Sequence, residues 1–407
     1  MDRQVHTVVI GAGQAGLATS YYLSQRSIPH VVLERSEIGE AWRSDRWDSF
    51  RLLTPNWTIR LPGLASAGDD PDGFLAREEV VRCLEEYAAQ IGAPVQRGVE
   101  VTRVSRGDEG GFRIATSAGD LQASQVVVAA GSYQKPRIPA LGEKIAPQIV
   151  QMHSGAYRNP AALPPGAVLV VGSGQSGCQI AEELLDAGRT VYLSTGRGVW
   201  MPRRFRGKDA FWWAEKIGMM DQPPSSLPSS GARFDANPQL SGKDGGRTIN
   251  LHVLAREGAI LVGRLTGADG MTVHFANDLL ENVAGADKAC AQFMMGASKF
   301  AAATGLALPE EEVPMPRDAY EATPINEINL DEAGIGAIIW ATGYRVDFGW
   351  IDFPIFDDFG YPIQQRGVTA QPGLFFVGLH FMSKRKSTLL AGVGEDAAFV
   401  VEQIAAP

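Results

Sequence analysis

The strongest constraint on this chain is a pattern that occurs twice. Thr-Val-Val-Ile at 7–10 runs into Gly11-Ala12-Gly13-Gln14-Ala15-Gly16, and Ala-Val-Leu-Val-Val at 167–171 runs into Gly172-Ser173-Gly174-Gln175-Ser176-Gly177. Each glycine turn is followed by a helical stretch and a second apolar run, at 30–34 and 190–194, so each copy spells strand, helix, strand. The first glycine of such a turn permits a sharp bend, the second lets a pyrophosphate approach the backbone, and the third lets the helix pack on the strand. The phosphates then sit at the helix N-terminus, where backbone N–H groups point outward. Gly11 and Gly172 lie 161 positions apart, so the chain is predicted to hold two nucleotide-binding units rather than one interrupted unit.

The residues closing each second strand differ. Glu34 stands 18 residues after Gly16, where a carboxylate accepts hydrogen bonds from ribose hydroxyls and repels a 2′-phosphate, so the first unit should take FAD or NAD rather than NADP. The second unit ends in Ser194-Thr195-Gly196-Arg197, with no acid. Hydroxyls and a guanidinium suit a 2′-phosphate, which favours NADPH over NADH, with Arg203 or Arg204 as alternatives to Arg197.

At 407 residues the chain exceeds the usual size of one hydrophobic core. Helix is expected over 78–91, strands over 99–104, 112–116 and 125–129, a long helix over 277–303, buried strands at 337–341 and 374–377, and a closing helix from about 388. Prolines 136, 139, 147, 160, 164 and 165 cluster where a domain boundary is expected, at 155–165. A net charge of −9 gives no electrostatic footprint for nucleic acid or an anionic membrane. Cys83, Cys178 and Cys290 form no CxxC pair, which speaks for a reducing, cytoplasmic setting and against a dithiol reductase. No two of the six histidines have metal-ligand spacing, so no metal is expected, and no apolar run is long enough for a transmembrane segment.

Several further motifs occur in a fixed order: Gly39-Glu-Ala-Trp42, Val126-Val-Val-Ala-Ala-Gly131, Trp340-Ala-Thr-Gly-Tyr344 and Gly373-Leu-Phe-Phe-Val-Gly378. With the paired glycine turns, they make nearly the whole chain resemble the group B flavin-containing monooxygenases, including the plant YUCCA-type enzymes. The resemblance implies an α/β fold of two Rossmann-like dinucleotide-binding domains, the NAD(P)H domain inserted into the FAD domain. Residues 1–160 and 345–407 would form the FAD domain, and 165–340 the inserted one, with a helical or lid insertion at about 200–305. It assigns FAD to Gly11, Ala12, Gly13, Ala15, Gly16, Glu34, Arg35, Trp42, Val101, Ala130, Gly131 and Gly378. It assigns NADPH to Gly172, Ser173, Gly174, Gln175, Ser176, Ser194, Thr195, Arg197, Thr342 and Gly343.

The implied reaction is transfer of one oxygen atom from O2, through a flavin C4a-hydroperoxide, to a small organic substrate, at N or S. The alternative is a reductase or oxidase passing electrons elsewhere. The family signature F-x-G-x-x-x-H-x-x-x-Y is present only in its second half, at His153 and Tyr157, with Pro147 and Ile149 in place of Phe and Gly. The asparagine that many members hold near the flavin aligns with Leu53, leaving Thr54 or Asn56 as substitutes. The acid that commonly ends the last flavin motif is absent, since Leu379 follows Gly378, and the N-terminus of the closing helix is expected to compensate. The aromatic and basic stretch 200–213 is expected either as a lid over nicotinamide and substrate or as an amphipathic helix buried against its own domain or at a dimer contact. His380 and the run 384–386 would line the pocket or face solvent, and the 277–303 helix would serve as core or as a homodimer surface.

Overall fold

The computed structural model describes residues 3–65, 67–108, 110–235 and 237–406. The chain begins with β1 (Arg3–Ile10), whose Val8 and Val9 are fully buried, and passes through the first glycine turn into α1 (Gln14–Gln25). It returns as β2 (His30–Glu34), parallel to β1 with Ile10 opposite Leu33. Strands buried on both faces read as unbroken apolar runs, which is why these segments were legible as strands. Helix α2 (Arg77–Gln90) leads to β3 (Val95–Arg97) beside β2, and β4 (Leu121–Val128) lies parallel to β1 on its other side. Strands at 101–106 and 112–116 form an antiparallel meander that joins this sheet through β4.

The chain then crosses to a second sheet. Its five parallel strands are β5 (Val150–His153), β6 (Ala167–Val171), β7 (Val191–Ser194), β8 (Ile260–Val262) and β9 (Ile335–Trp340), in the spatial order β8-β7-β6-β9-β5. Helix α3 (Gln175–Asp186) follows the second glycine turn, and α4 (Leu279–Thr304) is the long helix expected near 277–303. The chain re-enters the first sheet as β10 (Leu374–Phe376), parallel to β4. It closes with α5 (Val393–Ala405), which packs on α1.

Two boundaries differ from the sequence reading. Residues 150–153 belong to the second sheet, because β5 pairs with β9 from Val150–Ala337 to His153–Trp340, so the outward crossing falls before 150 rather than at 155–165. β5 is a short edge strand between prolines with exposed Val150 at its start, and it lacks the apolar run that marks a buried strand. The closing helix begins at Val393, because the 3₁₀ turn Arg385–Thr388 and the bend after it break the pattern. Helix α4 turns Val283, Cys290, Phe293 and Ala297 into the core, while Leu280 and Met295 face outward.

The two crossings are stitched together. Lys135–Pro136 pairs antiparallel with Tyr344–Arg345, the N–H of Arg137 donates to the Gly343 carbonyl at 2.9 Å, and the Thr342 hydroxyl donates to the Arg137 carbonyl. Among the described residues, no helix is long and apolar enough to cross a membrane.

Candidate functional site

In the first glycine turn, a methyl built on Gly11 would lie 2.7 Å from the Ala129 carbonyl oxygen, and one on Gly16 would lie 1.8 Å from the Gly11 oxygen. Those two glycines are therefore demanded by packing. Gly13 differs: a methyl there meets no protein atom within 4 Å, and the same holds at Gly131 beyond β4. This open space above backbone N–H groups is what a pyrophosphate needs. Glu34 is buried, with one carboxylate oxygen accepting from the Ala12 N–H at 2.8 Å and the other from the Ser36 N–H at 3.0 Å. Each oxygen keeps a lone pair for a ribose hydroxyl. Gln14 donates to the Thr388 carbonyl at 3.2 Å and accepts from the Trp42 indole at 3.1 Å, tying α1 to the C-terminal segment. Ala15 abuts Gly378, Ala130 is exposed at the end of β4, and Arg35 is exposed. Val101 opens the meander, two residues beyond Val99, whose N–H donates to the Glu34 carbonyl at 2.9 Å. The first turn fits FAD.

The second turn repeats the first in backbone form. Gly172 and Gly177 are held by close approach to Ala341 and Gly172, and Gly174 caps α3 in the same extended conformation as Gly13 caps α1. Gly172, Gly174, Gln175 and Ser176 are partly accessible, as a dinucleotide requires. The hydroxyls expected at a 2′-phosphate are engaged elsewhere. Ser194 donates to the Gly263 carbonyl, Thr195 donates to the Val262 carbonyl and accepts from Asn282, and Ser173 accepts from the Gly196 N–H. Arg203 is buried in a bidentate pair with Asp209 and Arg204 bonds the 245–246 carbonyls, which leaves exposed Arg197 as the cation at that strand end. Gln239 closes over the turn, its amide donating to the Ser173 carbonyl at 2.6 Å while its own oxygen finds no donor among the described residues.

The candidate catalytic residues are held mainly by buried contacts within the protein. Asn56 spends both ends of its amide on backbone, donating to the Asp70 carbonyl at 2.8 Å and accepting from the Leu75 N–H at 3.0 Å. Thr54 is buried, and Leu53 packs on the cluster around Trp213 while its carbonyl accepts from Arg203 at 2.7 Å. His153 accepts from the Gly155 N–H at one ring nitrogen and donates from the other to the Gly343 carbonyl at 2.9 Å, so it staples the two crossings. Burial lowers its pKa and keeps the ring neutral. Tyr157 is fully buried beside Glu183, with its phenol pKa raised chiefly by burial and next by that carboxylate. The 200–213 stretch is a packed core, since Trp213 is fully buried and donates to the Phe205 carbonyl at 2.7 Å.

Of the aromatic residues that converge, sequence reasoning singled out His380, left Tyr344 as the end of a motif and missed Tyr133, while the predicted His153 packs its ring on Tyr344 at 4.7 Å. Tyr133 follows β4, Tyr344 follows β9 and His380 follows β10, all at the carboxyl ends of parallel strands, where ligands bind in open α/β sheets. Their rings meet edge to face, Tyr133 with Tyr344 at 5.4 Å and with His380 at 5.0 Å. The carboxyl ends of the two sheets thus meet at this cluster. Burial pulls the His380 pKa down to about 4, so its imidazole is neutral at neutral pH. Lys384 and Lys386 both pair with Asp221 and Glu395, at 2.7–3.0 Å, so they hold the 219–222 turn against the C-terminal segment instead of facing solvent freely. A separate recess of about 320 Å³, lined by Asp287, Lys288, Arg317 and Tyr320, contains none of the predicted site residues. No cluster of potential metal ligands occurs among the described residues.

Residues 8–208 match the family model for pyridine nucleotide-disulphide oxidoreductases. The chain is 34% identical to an uncharacterized CzcO-like oxidoreductase of Geobacillus kaustophilus, across 99% of each. It is 30% identical over 208 residues, about half of each chain, to the indole-3-pyruvate monooxygenase YUCCA1 of Oryza sativa. A flavin-containing monooxygenase from Stenotrophomonas maltophilia shares the fold, with a TM-score of 0.67 at 21% identity over 99% of this chain and 98% of that one. Together with the paired glycine turns, these matches show a chain that shares its fold with a flavin-containing monooxygenase and belongs to the CzcO-like oxidoreductases.

Proposed function

We propose that this protein is an FAD- and NADPH-dependent monooxygenase that places one oxygen atom of O2 on nitrogen or sulfur of a small organic substrate. The observation that carries this reading is the convergence of both sheets' carboxyl ends on the Tyr133, Tyr344 and His380 cluster, which brings a hydride donor and its acceptor to one place. Bound FAD supplies the redox chemistry, accepting hydride and activating O2, so the chain has no need of a catalytic triad. Glu34 and the open Gly13 hold the ribose and pyrophosphate, and the second glycine turn with Arg197 holds the nicotinamide dinucleotide. Neutral His380 offers one hydrogen-bond donor and one acceptor to the cleft without adding charge.

A reductase acting on disulfides would need a reactive thiol. Cys178 and Cys290 are buried with raised pKa values, and Cys83 is half-buried with its pKa raised by burial. The test uses the FAD-loaded protein with NADPH, ¹⁸O2 and thioanisole. One labelled oxygen in the sulfoxide, with sulfoxide formed in proportion to NADPH consumed, supports the reading. NADPH consumption yielding only hydrogen peroxide, across sulfide and amine probes, would replace it with an oxidase.

A further inference from the structure

The cleft wall carries one cation without an ion-pair partner among the described residues. Arg46 lies with its guanidinium carbon 5.3 Å from the Trp42 ring, 5.6 Å from Phe50 and 5.7 Å from Tyr133. Its protein acceptors are the carbonyl of neighbouring Asp45, at 2.8 Å, and the Tyr344 hydroxyl, which leaves further N–H groups of the guanidinium for a ligand. The Asp45 carboxylate lies beyond ion-pair distance, and Arg46 favours the ionised forms of Asp45, through its charge alone, and of the Tyr344 phenol, through its charge and a hydrogen bond. Asp45 is itself shared with Arg35 and Arg158, and burial raises its pKa, which weakens it as a counter-ion for Arg46.

The placement of Arg46 is fixed by its backbone. Its carbonyl accepts from Arg77 at 3.2 Å and from Arg158 at 3.4 Å, and Arg158 also donates to the Gly155, Tyr157 and Ser44 carbonyls. Arg77 in turn pairs with Asp48 at 3.0 Å. The 44–48 segment is therefore clamped to the 155–158 segment, and three aromatic faces restrict the side chain. A guanidinium held this way loses little entropy on gripping a carboxylate with two parallel hydrogen bonds. The remaining members of the wall, Tyr133, Tyr344 and His380, are neutral at neutral pH, with phenol pKa values raised and the imidazole pKa lowered by burial. The charge that an incoming molecule meets is positive.

We propose that Arg46 is the substrate-anion receptor of this cleft, and that the preferred substrates are small thioethers or amines that also carry a carboxylate. The inference rests on the monooxygenase reading above. For a thioether the reaction balances as sulfide plus O2, NADPH and a proton giving sulfoxide, NADP⁺ and water. NADPH and the sulfur lone pair each supply two electrons; one oxygen atom bonds to sulfur, and the other leaves as water with the added proton and the hydride-derived hydrogen.

The experiment compares 4-(methylthio)butanoate with its primary amide, in the wild-type FAD-loaded protein and in Arg46→Lys and Arg46→Met. Pentanoate and pentanamide serve as non-oxidisable binding probes, read by calorimetry. A charged hydrogen-bonded pair sets the expected scale: about a 10- to 100-fold preference for the acid in kcat/KM and in binding. Arg46→Met should lower that preference to within about threefold of unity, and Arg46→Lys should retain part of it, with flavin content and the KM for NADPH unchanged. Equal handling of acid and amide by the wild type overturns the proposal. So does purification of either variant without flavin, or a raised KM for NADPH, because the guanidinium would then serve a cofactor phosphate. Arg46-dependent pentanoate binding without any oxygenation would sink the monooxygenase reading while leaving the receptor standing, and oxygenation without charge preference would do the reverse.

Discussion

Substituting alanine at Gly13 and, separately, at Gly16 should divide binding from folding within a single turn. Gly13 has φ −83° and ψ −170°, which any residue adopts, and the added methyl touches nothing in the protein. Two small effects on the apoprotein oppose each other: alanine is a poorer helix cap than glycine, and it lowers the entropy of the unfolded chain, so the net change should stay within about 1 kcal/mol. The methyl occupies the space a pyrophosphate oxygen would need when bonded at ~2.9 Å to backbone N–H groups. Pushing the phosphate out by about 1 Å breaks one or two charged hydrogen bonds, about 2–4 kcal/mol in all, or roughly a 30- to 1000-fold rise in the FAD Kd. Gly16→Ala sets its methyl 1.8 Å from the Gly11 oxygen and 3.0 Å from the Gly11 carbon. Both obstacles are backbone, so the turn must open, at a cost above about 3 kcal/mol. The assay pairs thermal unfolding of the apoproteins with FAD titration followed by quenching of flavin fluorescence. Gly13→Ala binding FAD within threefold of wild type, or losing as much Tm as Gly16→Ala, would refute the assignment.

Asp209→Ala strands the Arg203 guanidinium, 2% exposed, without its bidentate partner and should cost about 3–5 kcal/mol in urea unfolding. Partial retention by Asp209→Asn would fit this account, whereas a loss under 1 kcal/mol would contradict it. His380, depressed to about 4 from 6.5, stays unprotonated in the fold where the unfolded chain binds a proton. Its contribution is therefore complete above pH 6.5 and is lost as pH falls toward 4, so His380→Asn should flatten the apoprotein's Tm over that window and leave it alone above pH 7. Asp221→Ala breaks the pairs to Lys384 and Lys386 but removes largely exposed charge, so global stability should move by less than about 1 kcal/mol. Hydrogen exchange at 219–222 should nonetheless quicken, and unchanged exchange would show that packing alone holds the turn.

The sequence by itself determined the two glycine turns, the strands and helices around them, and Glu34 against Ser194 at the second strand ends. These signals are local: a parallel strand buried on both faces must be an apolar run, and a turn that admits a phosphate must carry glycine where backbone crowds backbone. Tertiary structure alone decided what the candidate polar residues do. Asn56, His153 and Tyr157 lie in suggestive stretches of sequence, yet the partners that claim the first two include Leu75 and Gly343, far along the chain. The edge strand Val150–His153 is recognisable only through its pairing with β9. Tyr133 belongs to no local pattern either; it meets Tyr344 and His380 because strands distant in sequence end on the same side of two sheets, and Arg46 reaches it from the turn after residue 44. Hydrogen bonds and charge act over a few ångströms of space, whatever the separation in sequence, so the chemistry of the cleft became visible only once the chain had been folded around it.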